Sequence, residues 1–309
     1  MSDKKPGILE MARAPFLFAI LVPLTISTSL SVHIKGEVDL IGLSFAWMMG
    51  FGLHVTTNVY NDIYDTKQGS DTLVSSKNEF SGGSGILIEH PDMEKDMFHL
   101  ARGGIIVGFI SVLGLLYISR TEIWPVIIGI YAVSVFFSKY YTAKPVKFAY
   151  RGLGEIVVWI GFGPLAVMLG AVGQGILIHP YMISIMPITG LSTLFIVWMG
   201  EMVDMPGDIV AGKRGLVARL GLKKSIYCHL LIHLLALFNV ASVAYLLGPV
   251  SLLWIALIPH VILLPLVYRD LQRALDKRKW IKKASKLNFL LFFLFSTFLM
   301  ASFILEFLI

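Results

Sequence analysis

Two acidic segments of the chain have the residue types and the spacing of a divalent-metal site. The first reads NVYNDIYDTKQGSD and covers residues 58–71. Asn58, Asp62 and Asp65 lie four and then three residues apart in it, a spacing that puts their side chains on one face of a helix. Carboxylate and amide oxygens are hard ligands that suit Mg²⁺. This segment therefore predicts half of a magnesium site.

The second segment, GEMVDMPGDIVAGKRG, covers residues 200–215 and reverses the spacing. Glu201, Asp204 and Asp208 lie three and then four residues apart, and Pro206 is expected to loosen this end of the helix. Acids at membrane depth are costly, so two matched clusters favour a functional site over ordinary solvated loop acids. This spacing predicts Asn58, Asp62, Asp65, Glu201, Asp204 and Asp208 as metal ligands.

The chemistry that fits two such clusters is the binding of a diphosphate. Mg²⁺ usually takes one or two carboxylates together with phosphate oxygens, so two facing clusters would hold it on a diphosphate. A cation-coupled transporter is the alternative from another class, but its acids should lie near the middle of the bilayer on broken helices. The basic residues predicted to bind the remaining phosphate charge are Arg13, Lys67, Lys213 and Arg214.

Aromatic and charged side chains near the acids form a weaker set of candidates. Aromatic faces stabilise a nearby cation, although tyrosines are also ordinary at membrane interfaces. Glu155 lies four residues from Arg151, which fits either a local ion pair or a contact with an aromatic acceptor. The SGGSG segment, residues 81–85, fits a phosphate-binding loop and a plain flexible loop equally well. The weaker candidates are Tyr60, Tyr64, Tyr140, Tyr141, Lys144, Arg151 and Glu155.

Membrane-spanning helices are the elements that must position these residues. The chain has 309 residues, of which 56% are hydrophobic and 15% charged, and its mean hydropathy is +0.76. A globular domain carries about 25% charged residues. Nine apolar runs are long enough to cross a bilayer, and each must be helical because lipid offers the backbone no hydrogen bonds. The runs are residues 15–33, 40–60, 101–119, 123–141, 153–175, 181–200, 225–247, 250–268 and 287–308.

Positive charge sets the orientation of the predicted bundle. With nine spans, every Lys and Arg except Lys35 and Arg120 falls on one side, which the positive-inside rule makes the cytoplasmic side. The N-terminus and both acidic segments share that side. We therefore predict a single domain, 1–309, with cytoplasmic cap loops near residues 61–100 and 201–224.

The formal net charge of +6 follows from the same topology. Segment 269–286 carries eight Lys and Arg residues and is expected to lie against anionic lipid headgroups. This explains the basic excess better than nucleic-acid binding does. The single cysteine, Cys228, cannot form an internal disulfide. We predict the lipid bilayer as a partner, no nucleic-acid partner and no obligate protein partner.

The motifs and spans together resemble the UbiA superfamily of intramembrane prenyltransferases over essentially the whole chain. The finer pattern is similar to the branch that prenylates 1,4-dihydroxy-2-naphthoate in menaquinone biosynthesis. Gly200 and Gly215 depart from that branch, which often has Asn and Thr there, so geranylgeranylglyceryl phosphate, 4-hydroxybenzoate, homogentisate and chlorophyllide stay open as acceptors. The segments that carry the resemblance are NDIYDTKQGSDT (61–72), GGSG (82–85), YRGLGEIVVWIGFGPLAVMLGA (150–171) and EMVDMPGDIVAGKRGLVARLG (201–221).

The resemblance implies an all-α polytopic membrane protein with nine transmembrane helices around a central cavity. It also implies an enzyme that uses Mg²⁺ as cofactor, with a polyprenyl diphosphate donor and a small aromatic acceptor. An allylic cation would form in the cavity, away from water, and the acceptor ring would attack it. We expect a prokaryotic cell membrane as its location. The resemblance adds Asn61 and Asp71 to the metal ligands that the spacing predicts. The residues that it makes catalytic are Asp62, Asp65, Asp204 and Asp208.

Overall fold

The computed structural model of the protein describes residues 5–70, 83–177 and 179–308, and within these ranges it contains helices and no strand. Nine of the described helices are long and apolar enough to cross a membrane. The predicted all-α, nine-span fold is therefore confirmed. The spans are α1 (Ala14–Lys35), α2 (Leu40–Lys67), α3 (Pro91–Ile118), α4 (Thr121–Tyr140), α5 (Gly154–Gly173), α6 (Pro180–Val210), α7 (Leu216–Leu247), α8 (Leu252–Asp276) and α9 (Trp280–Phe307).

The spans continue further on their acidic side than hydropathy predicts. Helix α2 runs to Lys67 and α6 runs to Val210, so both acidic clusters lie on helix. The described residues of the predicted cap segments are therefore largely helical, with short helices such as Ile86–Glu89 between the spans. A helix satisfies its own backbone hydrogen bonds, so it continues past the edge of the hydrocarbon, where hydropathy no longer marks it. Helix α6 also continues through Pro206, where loosening was expected.

Two apolar clusters fill the bundle. One joins α1 and α5 to α2, α3 and α4, and the other joins α1 and α5 to α6, α7, α8 and α9. Helices α1 and α5 thus belong to both halves. Helix α5 contains one turn of π-helix, Gly161–Leu165, which includes Pro164. A Cβ atom added at Gly161 would meet no other atom within 4 Å, because this position faces open space inside the bundle.

Small residues let α2 and α3 approach closely. A Cβ atom at Gly104 would lie 2.2 Å from the backbone oxygen of Gly52, so only glycine fits there. The Thr56 hydroxyl donates a hydrogen bond of 2.9 Å to the carbonyl of Ala101 across the same interface. Close backbone approach and interhelical hydrogen bonds of this kind hold membrane helices together where lipid offers no hydrophobic gain.

The end of the bundle opposite the acids is tightly joined. Asp39 caps the start of α2 by accepting hydrogen bonds from the backbone amides of Ile41 and Gly42. The Gln174 side chain, just after α5, accepts from the Asp39 amide at 2.8 Å and donates to the Asp39 carbonyl at 3.0 Å. A Cβ atom at Gly42 would lie 1.8 Å from the Gly173 carbonyl oxygen. The first turn of α2 is therefore fastened to the last turn of α5.

Candidate active site

A cavity of about 1400 Å³, its open mouth included, lies inside the bundle. Helices α1, α2, α4, α5 and α6 line it. Its walls are mostly apolar along the shaft, where Ile20, Leu53, Phe162 and Leu169 face it. Charged and amide side chains gather at one end. The polar residues at that end are Arg13, Asn58, Asn61, Glu201, Asp204, Asp208 and Lys213.

The Lys213 side chain joins the two acidic segments. Its ammonium lies 2.8 Å from Oδ2 of Asp65 on α2 and 3.8 Å from Oδ1 of Asp208 on α6. Burial alone would lower the pKa of the Lys213 ammonium, but the carboxylates of Asp65 and Asp208 outweigh it and hold that pKa above its usual value. Two carboxylates from separate segments are thus brought to opposite sides of one cation.

Tyr150 is a site residue that the sequence motifs did not single out. Its hydroxyl donates a hydrogen bond of 2.9 Å to Oδ1 of Asp65, and the Lys147 ammonium lies 3.8 Å from the centre of its ring. Burial raises the pKa of the Tyr150 hydroxyl, and Asp65 raises it further, so the hydroxyl remains a donor. The only sequence signal was the position of Tyr150 in the YRGLGE segment, beside Arg151.

Two serines that the motifs also did not single out donate hydrogen bonds to Asp208 and Asp62. The Ser70 hydroxyl donates to Oδ1 of Asp208 at 2.5 Å. The backbone amide of Ser84 donates to Oδ1 of Asp62 at 2.8 Å, and its hydroxyl donates to Oδ2. Asp62 therefore faces the segment before α3 and not the cavity. Ser84 belongs to the predicted SGGSG loop, whereas Asp71 lies outside the described residues.

The side chains present at the polar end fit a hard divalent cation. They offer carboxylate and amide oxygens from both segments, the ligands that Mg²⁺ prefers. The buried Oδ1 of Asn61 has no hydrogen-bond partner among the described residues. The described residues contain no group of three or more His, Cys, Asp or Glu side chains that could hold a metal ion by themselves. Mg²⁺ bound partly by phosphate oxygens needs no such group, so this donor set suits a metal that arrives with its anion.

Glu155 and Tyr141 also belong to this region. Glu155 is buried, accepts a hydrogen bond of 2.9 Å from the Leu216 amide and lies in contact with the Glu201 carboxyl. Two carboxyl groups in contact repel each other unless a cation or a proton lies between them. Tyr141 lines the cavity, and burial, followed by Glu201 and Glu155, raises the pKa of its hydroxyl. No ion pair between Glu155 and Arg151 occurs among the described side chains.

Two of the basic residues predicted to bind diphosphate lie away from the cavity. The Lys67 ammonium pairs with Glu94 at 2.8 Å and lies over the Phe98 ring, because the end of α2 packs against the start of α3. Arg214 is exposed, and its carbonyl accepts a hydrogen bond from the Arg219 side chain. The structure brings Arg13 and Lys213 to the cavity and leaves these two outside it.

Most of the weaker candidates lie outside the cavity as well. The rings of Tyr60 and Tyr64 pack against each other and against Phe98. Tyr140 packs against Phe136. The remaining two candidates, Lys144 and Arg151, are exposed and lie in the segment between α4 and α5.

Nine bilayer-length helices in the described ranges, around a cavity that is apolar along its shaft and charged at one end, define an integral multi-pass membrane protein. Residues 94–297 match the UbiA prenyltransferase family. The chain belongs to this family and is therefore an enzyme that transfers prenyl groups, as the sequence motifs predicted.

Two relatives share the branch that the sequence resembles. The 2-carboxy-1,4-naphthoquinone phytyltransferase of Synechocystis sp. is 24% identical over 70% of this chain and 66% of its own length. The 1,4-dihydroxy-2-naphthoate octaprenyltransferase of Bacillus subtilis is 26% identical over 52% of this chain and 48% of its own length. The chain thus spans half to two thirds of the length of these two relatives. The resemblance to the naphthoate branch is confirmed.

Solved structures share the fold over nearly the whole chain. A UbiA homolog from Aeropyrum pernix K1 matches with a TM-score of 0.66 and 15% identity, covering 93% of this chain and 97% of that one. A UbiA homolog from Archaeoglobus fulgidus, bound to GPP and Mg²⁺, matches with a TM-score of 0.60 and 13% identity, covering 94% and 99%. At these identities the likeness establishes the nine-helix fold.

Proposed function

We propose that the protein transfers a polyprenyl group from a polyprenyl diphosphate to 1,4-dihydroxy-2-naphthoate, with Mg²⁺ as cofactor. The observation that carries this proposal is the cavity itself. It joins an apolar shaft, suited to an isoprenoid chain, to an end where Asp208 and Lys213 meet Asp65. The names of the two naphthoate relatives, and the GPP and Mg²⁺ bound to the Archaeoglobus homolog, support the same reading.

The residues divide the chemistry between them. Asn58, Asn61, Asp65, Glu201, Asp204 and Asp208 would hold Mg²⁺, which neutralises the diphosphate as the allylic C–O bond breaks. Lys213 and Arg13 would bind the remaining negative charge of the departing diphosphate. The apolar shaft excludes water from the allylic cation. A ring carbon of the acceptor then forms the new C–C bond, and the carboxylate on that carbon leaves as CO₂, returning its bonding pair to the ring.

The placement of Asp62 adds a step to the proposal. Asp62 is fully engaged by Ser84, so as a metal ligand it would first have to release the segment before α3. We propose that this segment and the residues between α6 and α7 cover the acidic end as caps of a single domain. We also propose that this end faces the cytoplasm of a prokaryotic cell.

The metal assignment is tested by changing one acid from each segment. Asp62→Ala and Asp204→Ala are each expected to reduce prenyl transfer to background without unfolding the protein. Each removes a proposed hard oxygen ligand, which Asp204 would supply directly and Asp62 once Ser84 has released it. Transfer is measured in membranes with added Mg²⁺ and again after chelation by EDTA. Glu122→Ala, an exposed acid beyond the other end of the bundle, is the matched control. Near-normal turnover in either site variant would contradict the assignment.

The acceptor is tested by competition. Membranes that contain the protein are incubated with radiolabelled geranylgeranyl diphosphate and an equal mixture of dihydroxynaphthoate, 4-hydroxybenzoate, homogentisate, chlorophyllide and geranylgeranylglyceryl phosphate. Label in the decarboxylated naphthoate product supports the proposal. Label in any other acceptor would support prenyl transfer but assign a different acceptor. Cation uptake into liposomes without any labelled product would instead favour a transporter.

A further inference from the structure

The second acidic segment contains a backbone defect at Pro206. Proline has no N–H group, so the carbonyl four residues earlier, that of Met202, loses its partner within the helix. Both Asp204 and Asp208 lie within two residues of this defect. A carbonyl left open in the interior of a membrane protein is costly, and such a defect normally kinks or frays the helix. Yet α6 continues without a break to Val210.

Arg278 supplies the missing donor. It lies in the turn between α8 and α9, and its Nη2 donates to the Met202 carbonyl at 2.8 Å and to the Val203 carbonyl at 3.2 Å. Its side chain is half-buried, and burial lowers the pKa of its guanidinium, while the nearby Asp204 carboxylate opposes that shift. A guanidinium keeps its charge and carries several donors in a fixed plane, so one side chain can serve two carbonyls.

Other basic residues near Arg278 in sequence bind a carboxylate and not the backbone of α6. Arg269, Arg273 and Lys283 surround the buried carboxylate of Asp270, on the same two helices that flank the turn. This group holds α8 to α9. Arg278 instead reaches across to the backbone of α6, at the two carbonyls immediately before Asp204. The basic segment 269–286, expected from the sequence to lie on lipid headgroups, thus makes a direct contact with the acidic helix.

We propose that Arg278 is a positioning residue for prenyl transfer: by occupying the carbonyl that Pro206 leaves open, it keeps α6 helical and holds Asp204 and Asp208 on the cavity. The inference rests on the proposed function. Glu201, Asp204 and Asp208 share one face only while the helix is intact, since their spacing of three and four residues matches a helical turn. Unwinding at Met202 would turn the last two acids away from the first.

A double-mutant cycle tests this role. Arg278→Met is expected to raise both the KM for the prenyl diphosphate and the Mg²⁺ concentration for half-maximal rate by about tenfold, the usual size of an effect exerted through a metal ligand's support. Pro206→Ala restores the N–H group, so adding it to Arg278→Met should recover most of the loss. Arg278→Lys, which keeps a donor, should lose less. Lys279→Met removes the exposed charge next along the chain and should change neither value.

Several results would overturn the proposal. An equal loss from Arg278→Met with and without Pro206→Ala would mean that the residue acts through its charge and not through the carbonyl. An unchanged KM and Mg²⁺ requirement would mean that it has no positioning role. If Arg278→Met fails to fold, the comparison is made with Arg278→Lys in the two proline backgrounds.

A readout that needs no turnover separates this inference from the proposed function. Amide hydrogen exchange over residues 203–210 should quicken in Arg278→Met and return toward wild type when Pro206→Ala is added. If the wild-type protein transfers no prenyl group but this exchange pattern holds, the proposed function fails and the link between Arg278 and α6 stands. Unchanged exchange in all variants would overturn the link itself.

Discussion

Lys213 is the residue that relates the two acidic segments to each other. In the structure its ammonium lies between Asp65 and Asp208, where two carboxylates would otherwise repel. In the proposed function, divalent cations bound with the diphosphate would take over the neutralisation of both acids. The Lys213 ammonium would then be free to turn toward the phosphate oxygens, so one side chain would serve the site before and after the donor binds.

Replacing Lys213 should therefore weaken the site both before and after the donor binds. Lys213→Met is expected to lower the rate of prenyl transfer at saturating donor by about 10²-fold, the usual effect of removing one preorganised charged group from a developing anion. Initial rates over a range of donor concentrations measure it. Lys223→Met removes an exposed lysine on α7 and should leave the rate unchanged. A normal rate in Lys213→Met would contradict the proposed role of this lysine in binding the diphosphate.

The spacing of the acids was enough to predict that each segment carries them on a helix. It did not predict where each side chain points, since Asp62 turns to Ser84 whereas Asp65 turns to Lys213. The hydroxyl donors were not predictable in this way. Tyr150, Ser70 and Ser84 come from three separate segments and carry no periodic signal, so only the folded chain brings them to Asp65, Asp208 and Asp62. The structure leaves Lys67, a predicted diphosphate-binding residue, outside the cavity, and nothing in the sequence shows that Glu94 lies beside it.

Glycine positions divide the helices into packed faces and cavity faces. At Gly104 an added Cβ atom would meet the Gly52 carbonyl of α2, whereas at Gly161 on α5 it would meet open space. The two glycines therefore have different roles. Gly104 permits contact between helices, and Gly161 keeps the cavity wide.

This difference predicts opposite consequences for the same substitution. Gly104→Leu should lower stability in detergent by about 1–3 kcal/mol or more, the usual cost of overpacking a filled interface. Gly161→Leu should leave stability nearly unchanged and shorten the longest prenyl diphosphate that is accepted, because its side chain would occupy the cavity. Thermal unfolding and rates with donors of increasing length measure the two effects. Loss of stability in Gly161→Leu without a change in donor preference would contradict the assignment.

Helix number was predictable from hydropathy, but helix length was not. Apolar runs report the thickness of the hydrocarbon, whereas α2 and α6 end where their backbone hydrogen bonds end, beyond Asp65 and Asp208. Pro206 is the clearest case. Local sequence predicts a loosened end, and the partner that prevents it, Arg278, lies more than seventy residues later in the chain.

The distribution of basic residues gives the two ends of the bundle different charge. Among the residues that the structure describes, Lys35 and Arg120 are the exceptions to a pattern in which the other Lys and Arg residues share the side of the acids. The positive-inside rule then predicts which end of the cavity faces the cytoplasm. Substrates that carry diphosphate groups would meet the protein from that side.

Orientation can be measured because the chain has a single cysteine. In a Cys228→Ser background, one new cysteine is placed at exposed Lys279 and, separately, at Glu122. A membrane-impermeant maleimide added to intact cells should label the protein with Glu122→Cys, whereas Lys279→Cys should be labelled only after the cells are opened. The reverse pattern would invert the proposed topology.

The junction between Gly42 and Gly173 fixes the first turn of α2 against α5, so any rotation of α2 is largest at its acidic end. Helix α2 is fastened at its first turn, and Asp65 lies about 35 Å along it at 1.5 Å per residue. A pivot of about 5° at the fastened end would carry the carboxylate through about 3 Å, more than the length of a metal–oxygen bond. In the proposed function, the contact between Asp65 and a bound diphosphate would therefore depend on very small rotations of α2 as a whole helix.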